Sequence, residues 1–340
     1  MRRRGGTDSM MEKYEAYLRR KRREEEDAPP AETPEAARPQ LDTRAAQETG
    51  LRPEDVEPAP TPPSPPRAPA SGRPATPIRR PVVPARPGRP TGQKMPVAAA
   101  DPWDALAEIP LDPRHLARQR IISATRKDPA HVAFDVLRTR LLAALRDNGW
   151  RRVAITSPTQ NCGKTFVAAN LGISLSRQDG CRTILMDMDL RRPSLAQVMG
   201  ARVPGTLSAV LTGDRALADH LVVPAENDLK IGRRLALGLN GRAESYASEL
   251  LQGPTTPRVL SGMIETYDPD VVLYDLPPAL YYDDVIAFRE QFDGVLLVIG
   301  GGITRPREVH DVKRRLGEDT PLLGVIMNKA EGLSIADYSY

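Results

Sequence analysis

The chain has 340 residues, and its 48 lysines and arginines nearly balance its 44 aspartates and glutamates. The formal net charge of +4 is small for this length, so no nucleic acid or other strongly acidic partner is expected. The two cysteines, Cys162 and Cys181, show no metal-ligand spacing. No apolar run reaches the roughly 18 residues of a membrane span or secretory signal. This predicts a cytoplasmic protein, with a peripheral position at the inner face of the cell membrane as an alternative.

Residues 1–100 differ in composition from the rest of the chain. Nineteen of the 34 prolines fall between Asp27 and Pro96, among Ala, Arg, Glu and Thr residues. Such a segment buries too little apolar surface to offset its chain entropy, so we expect a long disordered, partly polyproline-II arm. The arginines from Arg67 to Arg89 would suit acidic lipids, nucleic acid or an acidic protein, but the composition favours a solvated linker.

The strongest signal lies between residues 153 and 175. Val153–Thr156 is a short apolar run typical of a buried parallel strand, and Phe166–Leu175 has apolar residues at helical spacing. Between them, Gly163-Lys164-Thr165 is typical of a phosphate loop, in which backbone N–H groups and the lysine bind phosphates and the hydroxyl ligates Mg²⁺. Pro158 and Asn161 stand where glycines are usual, and Asn161 is expected to tolerate the left-handed backbone. A strand–turn–helix that binds nothing is an alternative for this stretch alone.

Two further apolar runs end in acidic residues. TILMDMDLRRPS carries Asp187 and Asp189, and DVVLYDLPP carries Asp275. We expect these aspartates at the carboxyl ends of parallel strands, where open α/β sheets bind ligands. One aspartate there could cap a helix, but three beside a GKT loop predict a site that holds Mg²⁺ against phosphates.

Together the three stretches resemble the Walker A, A′ and B motifs of bacterial tyrosine kinases of capsule and exopolysaccharide biosynthesis, relatives of the MinD/ParA ATPases. The matching strings are SPTQNCGKT, ILMDMDLRRPS and VVLYDLPPAL, followed by FDGVLLVI and LLGVIMNK. Order and spacing agree from about His115 to Ala330. Thr159 stands where MinD and ParA proteins carry a lysine, which favours the kinase branch.

The resemblance implies that the ligands are ATP and Mg²⁺ and suggests a role for each motif residue. The residues expected to bind ATP are Gln160, Asn161, Cys162, Gly163, Lys164, Thr165 and, at the adenine, Asn328. Those expected to hold Mg²⁺ are Thr165, Asp189 and Asp275. Lys164 and Asp187 are the expected catalytic residues, with Asp187 as base, although exchange of roles with Asp189 is an alternative. Asp284 matches a family aspartate, or it caps a helix.

The implied function is ATP-dependent phosphorylation of the chain's own tail tyrosines, Tyr338 and Tyr340, although an ordinary frayed terminus is an alternative for the tail. The kinase would regulate polysaccharide biosynthesis and export together with a separate membrane chain-length or export protein. In the family, a Glu-x-x-Arg-x-x-Arg helix packs protomers into a ring, but the matching positions here hold Val132, Asp135 and Arg138. Ring assembly by that route is therefore in doubt, and self-association remains open. The alternatives are a MinD/ParA-like switch ATPase and a nucleotide-binding adaptor without turnover.

The remaining patterns complete the fold prediction. The further predicted elements are helices over Asp128–Leu145, Ser248–Ile264 and Arg307–Leu316 and strands over Phe292–Ile299 and Leu322–Asn328. Pro204–Ala243 is expected to be irregular, and Trp103 to pack a tether onto the domain. Five apolar runs alternating with helices predict an α/β fold with a doubly wound, mostly parallel sheet and a P-loop. We expect the disordered arm at 1–100, a P-loop kinase or ATPase domain at 101–335 and a tyrosine-containing tail at 336–340.

Overall fold

The computed structural model of the chain describes residues 101–125 and 130–330. The predicted arm at 1–100 and the tail tyrosines Tyr338 and Tyr340 lie outside the described residues. The strands in the described part are β1 (Ala107–Ile109), β2 (Arg152–Thr156), β3 (Thr183–Asp187), β4 (Leu221–Pro224), β5 (Leu235–Gly238), β6 (Val271–Asp275), β7 (Gly294–Gly300) and β8 (Leu322–Asn328). They form one sheet in the order β1-β4-β5-β3-β6-β2-β7-β8.

Parallel pairing dominates this sheet. Every neighbouring pair is parallel except β4 with β5, which is antiparallel. The central strands are short apolar runs buried on both faces, as parallel strands between two helix layers require. The predicted doubly wound, mostly parallel α/β fold is therefore confirmed. The register also pairs Asp187 at the end of β3 with Asp275 at the end of β6, so two of the predicted site residues are neighbours.

Helices cover both faces of the sheet. Those of the described residues are α1 (Pro113–Arg118), α2 (Ile122–Thr125), α3 (His131–Asn148), α4 (Lys164–Ser176), α5 (Leu195–Met199), α6 (Leu207–Thr212), α7 (Ala247–Gln252), α8 (Thr255–Tyr267), α9 (Asp284–Ala287) and α10 (Pro306–Leu316). Because side chains alternate along a strand, Val153 and Ile155 join the apolar core that contains α4, whereas Ala154 joins the core on the other face. None of the helices in this part of the chain has the length and apolar character that crossing a bilayer requires.

Helix α4 gives the phosphate loop a rigid base. Almost all of its side chains are buried, and Gly172 allows close packing against Leu185 of β3. The one buried amide, Asn170, is satisfied, because Oδ1 accepts a hydrogen bond from Ser123 N and Nδ2 donates to Phe166 O, both at 2.9 Å. The loop that precedes this helix is therefore anchored to the core.

Trp103 packs onto the domain, as the sequence predicts. Its side chain is only 4% exposed, and its Nε1 donates to the carbonyl oxygen of Tyr267 at 2.7 Å. The two rings meet edge to face with centroids 6.2 Å apart, and the Arg182 guanidinium lies 5.5 Å from the indole centroid. The segment before β1 is thereby fixed to the end of α8.

The structure corrects two of the predicted elements. Pro204–Ala243 is not irregular, because it contains α6, β4 and β5. The predicted continuous helix from Ser248 to Ile264 is interrupted between α7 and α8. Gly253 has an extended backbone there, with φ −57° and ψ 145°, and the next residue is Pro254. Proline cannot donate a helical hydrogen bond and disfavours helical geometry at the preceding residue, which explains the break.

Candidate functional site

The loop between β2 and α4 has the backbone of a phosphate cradle. Gly163 has φ 87° and Asn161 has φ 64°, both in the left-handed region. The expectation that Asn161 adopts a backbone normally given to glycine is thus confirmed. Lys164 is the first residue of α4, so the unsatisfied N–H groups and the positive dipole end of that helix lie at the loop.

Asn328, at the end of β8, braces this loop. Its Nδ2 donates to the carbonyl oxygen of Cys162 at 2.9 Å. A Cβ atom on Gly163 would come within 2.1 Å of that nitrogen, so this approach requires glycine. The Cys162 side chain is buried, with Sγ 3.5 Å from Thr304 Oγ1. The contact of Asn328 with adenine stays a prediction.

Lys164 lies between two buried carboxylates. Its Nζ is 2.7 Å from Asp189 Oδ2 and 3.3 Å from Asp275 Oδ1, and its side chain is only 12% exposed. Burial opposes the charge of Lys164, but Asp275, Asp189 and Asp187 outweigh burial and raise its pKa above the ordinary value. The ammonium group is therefore charged throughout the physiological pH range.

Thr165 shares the carboxylate of Asp275 with Lys164. Its Oγ1 donates to Asp275 Oδ2 at 2.6 Å and lies 3.0 Å from Ser194 Oγ. The sequence pattern does not single out Ser194, whose one signal is its place at the end of TILMDMDLRRPS. The structure places Ser194 immediately before α5 and against the loop hydroxyl.

Only one of the two carboxylate oxygens of Asp187 has a hydrogen-bond partner among the described residues. Its Oδ2 accepts hydrogen bonds from the N–H groups of Ser194 at 3.0 Å and Leu195 at 2.9 Å, at the start of α5. Its Oδ1 is buried and has no partner among the described residues. Burial and the neighbouring Asp275 raise the pKa of Asp187 well above 3.8, against the opposing effects of the Leu195 N–H and Lys164. Asp187 therefore has a free oxygen and a perturbed pKa at the mouth of the sheet.

Two arginines follow β3 and fix the surrounding loops. The backbone N–H of Arg192 donates to Asp189 Oδ1 at 2.9 Å, and its guanidinium donates to Gln160 Oε1 at 2.9 Å. Arg191 pairs with the buried Asp284 through two contacts of 3.1 Å. The residue before α9 is Asp283, so Asp284 serves as the partner of Arg191 and not as the residue that precedes the helix.

The phosphate loop borders a cavity of about 250 Å³. Loop residues 160–165, Asp189, Arg192, Ser194 and Tyr282 contribute to its lining. A larger cavity, of about 1080 Å³, lies at the opposite edge of the sheet, beside Arg114, Lys230 and Arg234. It contains none of the phosphate-loop or strand-end acidic residues. The chemistry therefore places the candidate site in the smaller cavity.

The predicted ring positions lie on α3. Arg138 donates to Asp135 Oδ1 at 2.8 Å and to the carbonyl and hydroxyl oxygens of Ser174 on α4 at 3.2 Å and 3.1 Å. Val132 is exposed. Asp135 and Arg138 therefore tie α3 to α4 within the chain, where they are not presented as a charge pair for a neighbour.

The oxygen donors beside Lys164 are of the kind that Mg²⁺ takes in proteins. Thr165 Oγ1 and Asp275 Oδ2 are adjacent, and the buried Asp187 Oδ1 lacks a partner in the described part of the chain. Within the described residues, no three or more His, Cys, Asp or Glu side chains surround one ready metal position. The donor set fits an ion that keeps most of its water and is held jointly with a phosphate ligand.

Replacing Asp187 with asparagine should change how stability depends on pH. The amide oxygen can still accept the bonds from Ser194 and Leu195, so we expect the fold to be retained. Because the pKa of Asp187 is raised in the folded state, wild-type stability falls as pH rises from 3.8 through the raised value. Asparagine does not titrate, so urea unfolding between about pH 4 and pH 8 should show the variant gaining stability relative to wild type as pH rises.

Asp293→Asn is a control variant whose stability relative to wild type should change with pH in the opposite direction. Burial works against ionisation of Asp293, but hydrogen bonds from Arg152 and from the N–H groups of Arg151 and Arg152 outweigh it and lower the pKa of Asp293. The stability this carboxylate contributes is present above its unfolded pKa and is lost as pH falls through the folded pKa. Asp293→Asn should therefore be most destabilised at neutral pH. If the stability of both variants relative to wild type changed with pH in the same direction, the environment assigned to Asp187 would be contradicted.

Comparison with known proteins agrees with this geometry. Residues 153–336 match the model of the CobQ/CobB/MinD/ParA nucleotide binding domain. EpsB of Ralstonia nicotianae is 30% identical over 207 residues, which cover 59% of this chain and 26% of EpsB. The succinoglycan biosynthesis transport protein ExoP of Rhizobium meliloti is 30% identical over 190 residues, which cover 56% of this chain and 23% of ExoP. The chain thus spans about a quarter of the length of these curated relatives.

A solved structure gives the same result for the fold. The kinase domain of the Escherichia coli tyrosine kinase ETK superposes with a TM-score of 0.55 and 26% sequence identity, covering 65% of this chain and 84% of that domain. The family model covers more than half of the chain, including most of β2, the phosphate loop and all the strand-end aspartates. The chain therefore belongs to the CobQ/CobB/MinD/ParA family of nucleotide-binding domains.

Proposed function

We propose that this chain is an ATP-dependent protein-tyrosine kinase that phosphorylates its own tail tyrosines, Tyr338 and Tyr340, and thereby regulates exopolysaccharide or capsule biosynthesis and export. The observation that carries the proposal is the position of Lys164 between Asp189 and Asp275 at a phosphate loop. The likeness to the ETK kinase domain supports tyrosine phosphorylation, and the name of ExoP supports the polysaccharide context.

The loop binds the triphosphate of ATP. Backbone N–H groups of residues 160–165 and the N-terminus of α4 would bind the phosphate oxygens, and Lys164 would contact the β/γ-phosphates. Asn328, whose amide donates to the Cys162 carbonyl, is the proposed contact of the adenine. Positioning and charge neutralisation supply most of the catalysis in this class of reaction.

Thr165, Asp189 and Asp275 would hold Mg²⁺, directly or through water. The adjacent Thr165 hydroxyl and Asp275 carboxylate supply hard oxygen donors, and Lys164 keeps the neighbouring carboxylates from repelling the phosphates. When bound, the ion neutralises negative charge on the transferring phosphoryl group.

Asp187 accepts the proton of the acceptor tyrosine. The phenolic oxygen forms a bond to the γ-phosphorus, the bond from that phosphorus to the bridging oxygen breaks, and ADP leaves. The phenolic proton passes to Asp187 Oδ1, the oxygen without a partner among the described residues. Asp189 is the alternative base, but its Oδ2 is engaged by Lys164. Asp187→Asn is expected to lower phosphate transfer about 10²- to 10⁴-fold.

The proposed partner is a separate membrane protein of polysaccharide chain-length control or export. The kinase would meet its cytoplasmic segment, either free in the cytoplasm or peripherally at the inner face of the membrane. Self-association would bring one tail to the site of another copy, but through contacts other than Asp135 and Arg138, which bind each other. The nearly balanced charge gives no reason to propose a nucleic acid partner.

A MinD/ParA-like switch ATPase is the second candidate. The family membership and the internal use of Arg138 favour it over a ring-forming kinase. In that case the nucleotide would control dimerisation or location. An adaptor without turnover is less favoured, because Lys164, Asp187, Asp189 and Asp275 are all retained and assembled around the loop.

The test is to incubate the purified full-length chain with Mg²⁺-ATP and to map phosphotyrosine by mass spectrometry, with Lys164→Met as control. We expect phosphate on Tyr338 or Tyr340 in the wild type and none in the variant. ATP turnover without phosphotyrosine would support the switch ATPase. If the protein shows neither phosphotyrosine nor ATP turnover, even with the membrane partner's cytoplasmic segment present, the adaptor function is supported instead.

A further inference from the structure

Aromatic side chains border the phosphate cavity on the side of β3 and β6. We call Arg191, Tyr281, Tyr282 and Asp284 the aromatic wall. Tyr282 lines the cavity itself, and its ring meets that of Tyr281 edge to face with centroids 6.4 Å apart. Tyr281 is 50% exposed, so a continuous aromatic surface leads from the cavity to solvent. Exposed aromatic surface next to a cleft is typical of a binding surface.

Arg191 holds the ring of Tyr282 in place. Its guanidinium carbon lies 5.0 Å from the centroid of the Tyr282 ring. All three of its nitrogens are also engaged, two by Asp284 at 3.1 Å and one by the carbonyl oxygen of Ser245 at 2.9 Å. Asp284 is only 1% exposed, so the pair is anchored in the domain. Arg191 is therefore a positioning residue for Tyr282.

The backbone of the wall is fixed from two sides. Leu280 N donates to Pro158 O of the phosphate loop at 3.2 Å. Arg315 on α10 donates to the carbonyl oxygens of Leu280 at 3.1 Å and Tyr282 at 3.0 Å. Because these residues are already ordered, a ligand that packs on the rings loses little binding free energy to ordering them.

The sheet order separates this wall from the adenine side. The wall follows β6, whereas Asn328 ends β8, and β2 and β7 lie between those strands. Three strand spacings amount to about 14 Å. With the adenine at Asn328, as the proposed function has it, the wall stands at the other end of the nucleotide, beside the terminal phosphate and the group that receives it.

We propose that the aromatic wall is the acceptor subsite, in which the ring of Tyr282 packs against the side chain of the tyrosine to be phosphorylated. This inference rests on the proposed kinase function and adds a determinant of its specificity. Ring pairs contribute beyond the area they bury, so a tyrosine acceptor gains a contact here that a serine or threonine acceptor does not. Arg191 and Asp284 act through Tyr282 by fixing its orientation.

The test uses the full-length chain with Tyr338→Ala and Tyr340→Ala, so that its own tail does not compete. Binding of a peptide with the sequence of residues 331–340 is measured by calorimetry, with Mg²⁺ and a non-hydrolysable ATP analogue present. Tyr282→Ala and Tyr282→Leu should each weaken peptide binding about 3- to 10-fold, whereas Tyr282→Phe should bind as wild type does. A control peptide whose two tyrosines are replaced by alanine should bind wild type and the Tyr282 variants with the same affinity.

Arg191→Lys tests the positioning role. Lysine keeps the charge but cannot pair with both Asp284 oxygens while lying on the Tyr282 ring, so peptide affinity should fall here too. With ATP, the KM for the peptide should rise more than the KM for ATP in Tyr282→Ala. Unchanged peptide affinity in folded Tyr282→Ala and Tyr282→Leu would overturn the acceptor subsite. Tyr282-dependent binding without phosphate transfer by the wild type would instead overturn the kinase function and leave Tyr282 as part of a tyrosine-binding surface.

Discussion

Replacing Lys164 with methionine should nearly abolish phosphate transfer and, in the same protein, make stability depend on pH. Lys164 is the cation that faces Asp189 and Asp275 in the candidate site, and it is the expected contact of the β/γ-phosphates. Loss of one preorganised charge at a transferring group costs about 10²- to 10³-fold in turnover. Methionine keeps much of the apolar length of the side chain, so the effect on activity should come from the missing charge.

The stability effect follows from the carboxylates that remain. Asp189 and Asp275 are almost completely buried, and without Lys164 they lose their cation. Removing one partner of a buried ion pair costs about 3 to 5 kcal/mol when the other partner stays ionised. In the variant the pKa of Asp275, which burial already raises, should rise further without the lysine, so the folded state retains protons that the unfolded chain releases, and its stability falls as pH rises. The stability gap between wild type and variant should therefore widen from about pH 5 to about pH 8.

Urea unfolding across that pH range measures the gap, and ATP turnover measures the activity. Lys313→Met on the exposed face of α10 is the matched control, because it removes the same charge from solvent and should change neither property appreciably. A gap that stays constant with pH would contradict the placement of Lys164 beside the buried carboxyl group of Asp275.

Trp103→Ala should cause the largest loss of stability at a position remote from the site. The substitution removes a buried indole, its edge-to-face contact with Tyr267 and its hydrogen bond to the Tyr267 carbonyl. Truncating a buried tryptophan to alanine costs about 3 to 5 kcal/mol. Denaturant unfolding should show a lower midpoint with little change in slope, because the fold itself is the same.

Trp103→Phe separates the ring from the hydrogen bond. Phenylalanine keeps most of the packing but leaves the Tyr267 carbonyl without its donor, which costs about 1 to 3 kcal/mol if no water replaces it. The Arg182 guanidinium keeps an aromatic face below it in this variant. Stability of Trp103→Ala within about 1 kcal/mol of wild type would show that the segment before β1 is not part of the cooperative unit.

The central part of the sheet could be predicted from sequence because its strands carry their own signal. β2, β3 and β6 are apolar runs buried on both faces, and two of them end in aspartates that mark the carboxyl edge. β4 and β5 have only four residues each and lie toward one side of the sheet, so their periodicity cannot be distinguished from that of a loop. β1 has three residues and depends on tertiary contacts, among them its pairing with β4 and the ion pair between Glu108 and Arg233.

The residues of the candidate site also differ in whether the sequence alone could predict them. Lys164, Asp189 and Asp275 were predicted because phosphate loops and strand-end acids have recognisable local patterns. The pairing of Asp187 with Asp275 could not be predicted, because it depends on which strands become neighbours. Arg191 and Tyr282 likewise come from separate segments and meet only in the folded chain. Sequence therefore predicts the residues of the phosphate loop and the strand ends, and only the fold brings Arg191 and Tyr282 together.

The hydrogen bond from Asn328 to the Cys162 carbonyl links the phosphate loop directly to the end of β8. β8 is also the strand from which the chain continues toward Tyr338 and Tyr340. Removing the Asn328 amide would therefore release the Cys162 carbonyl and the end of β8 from each other.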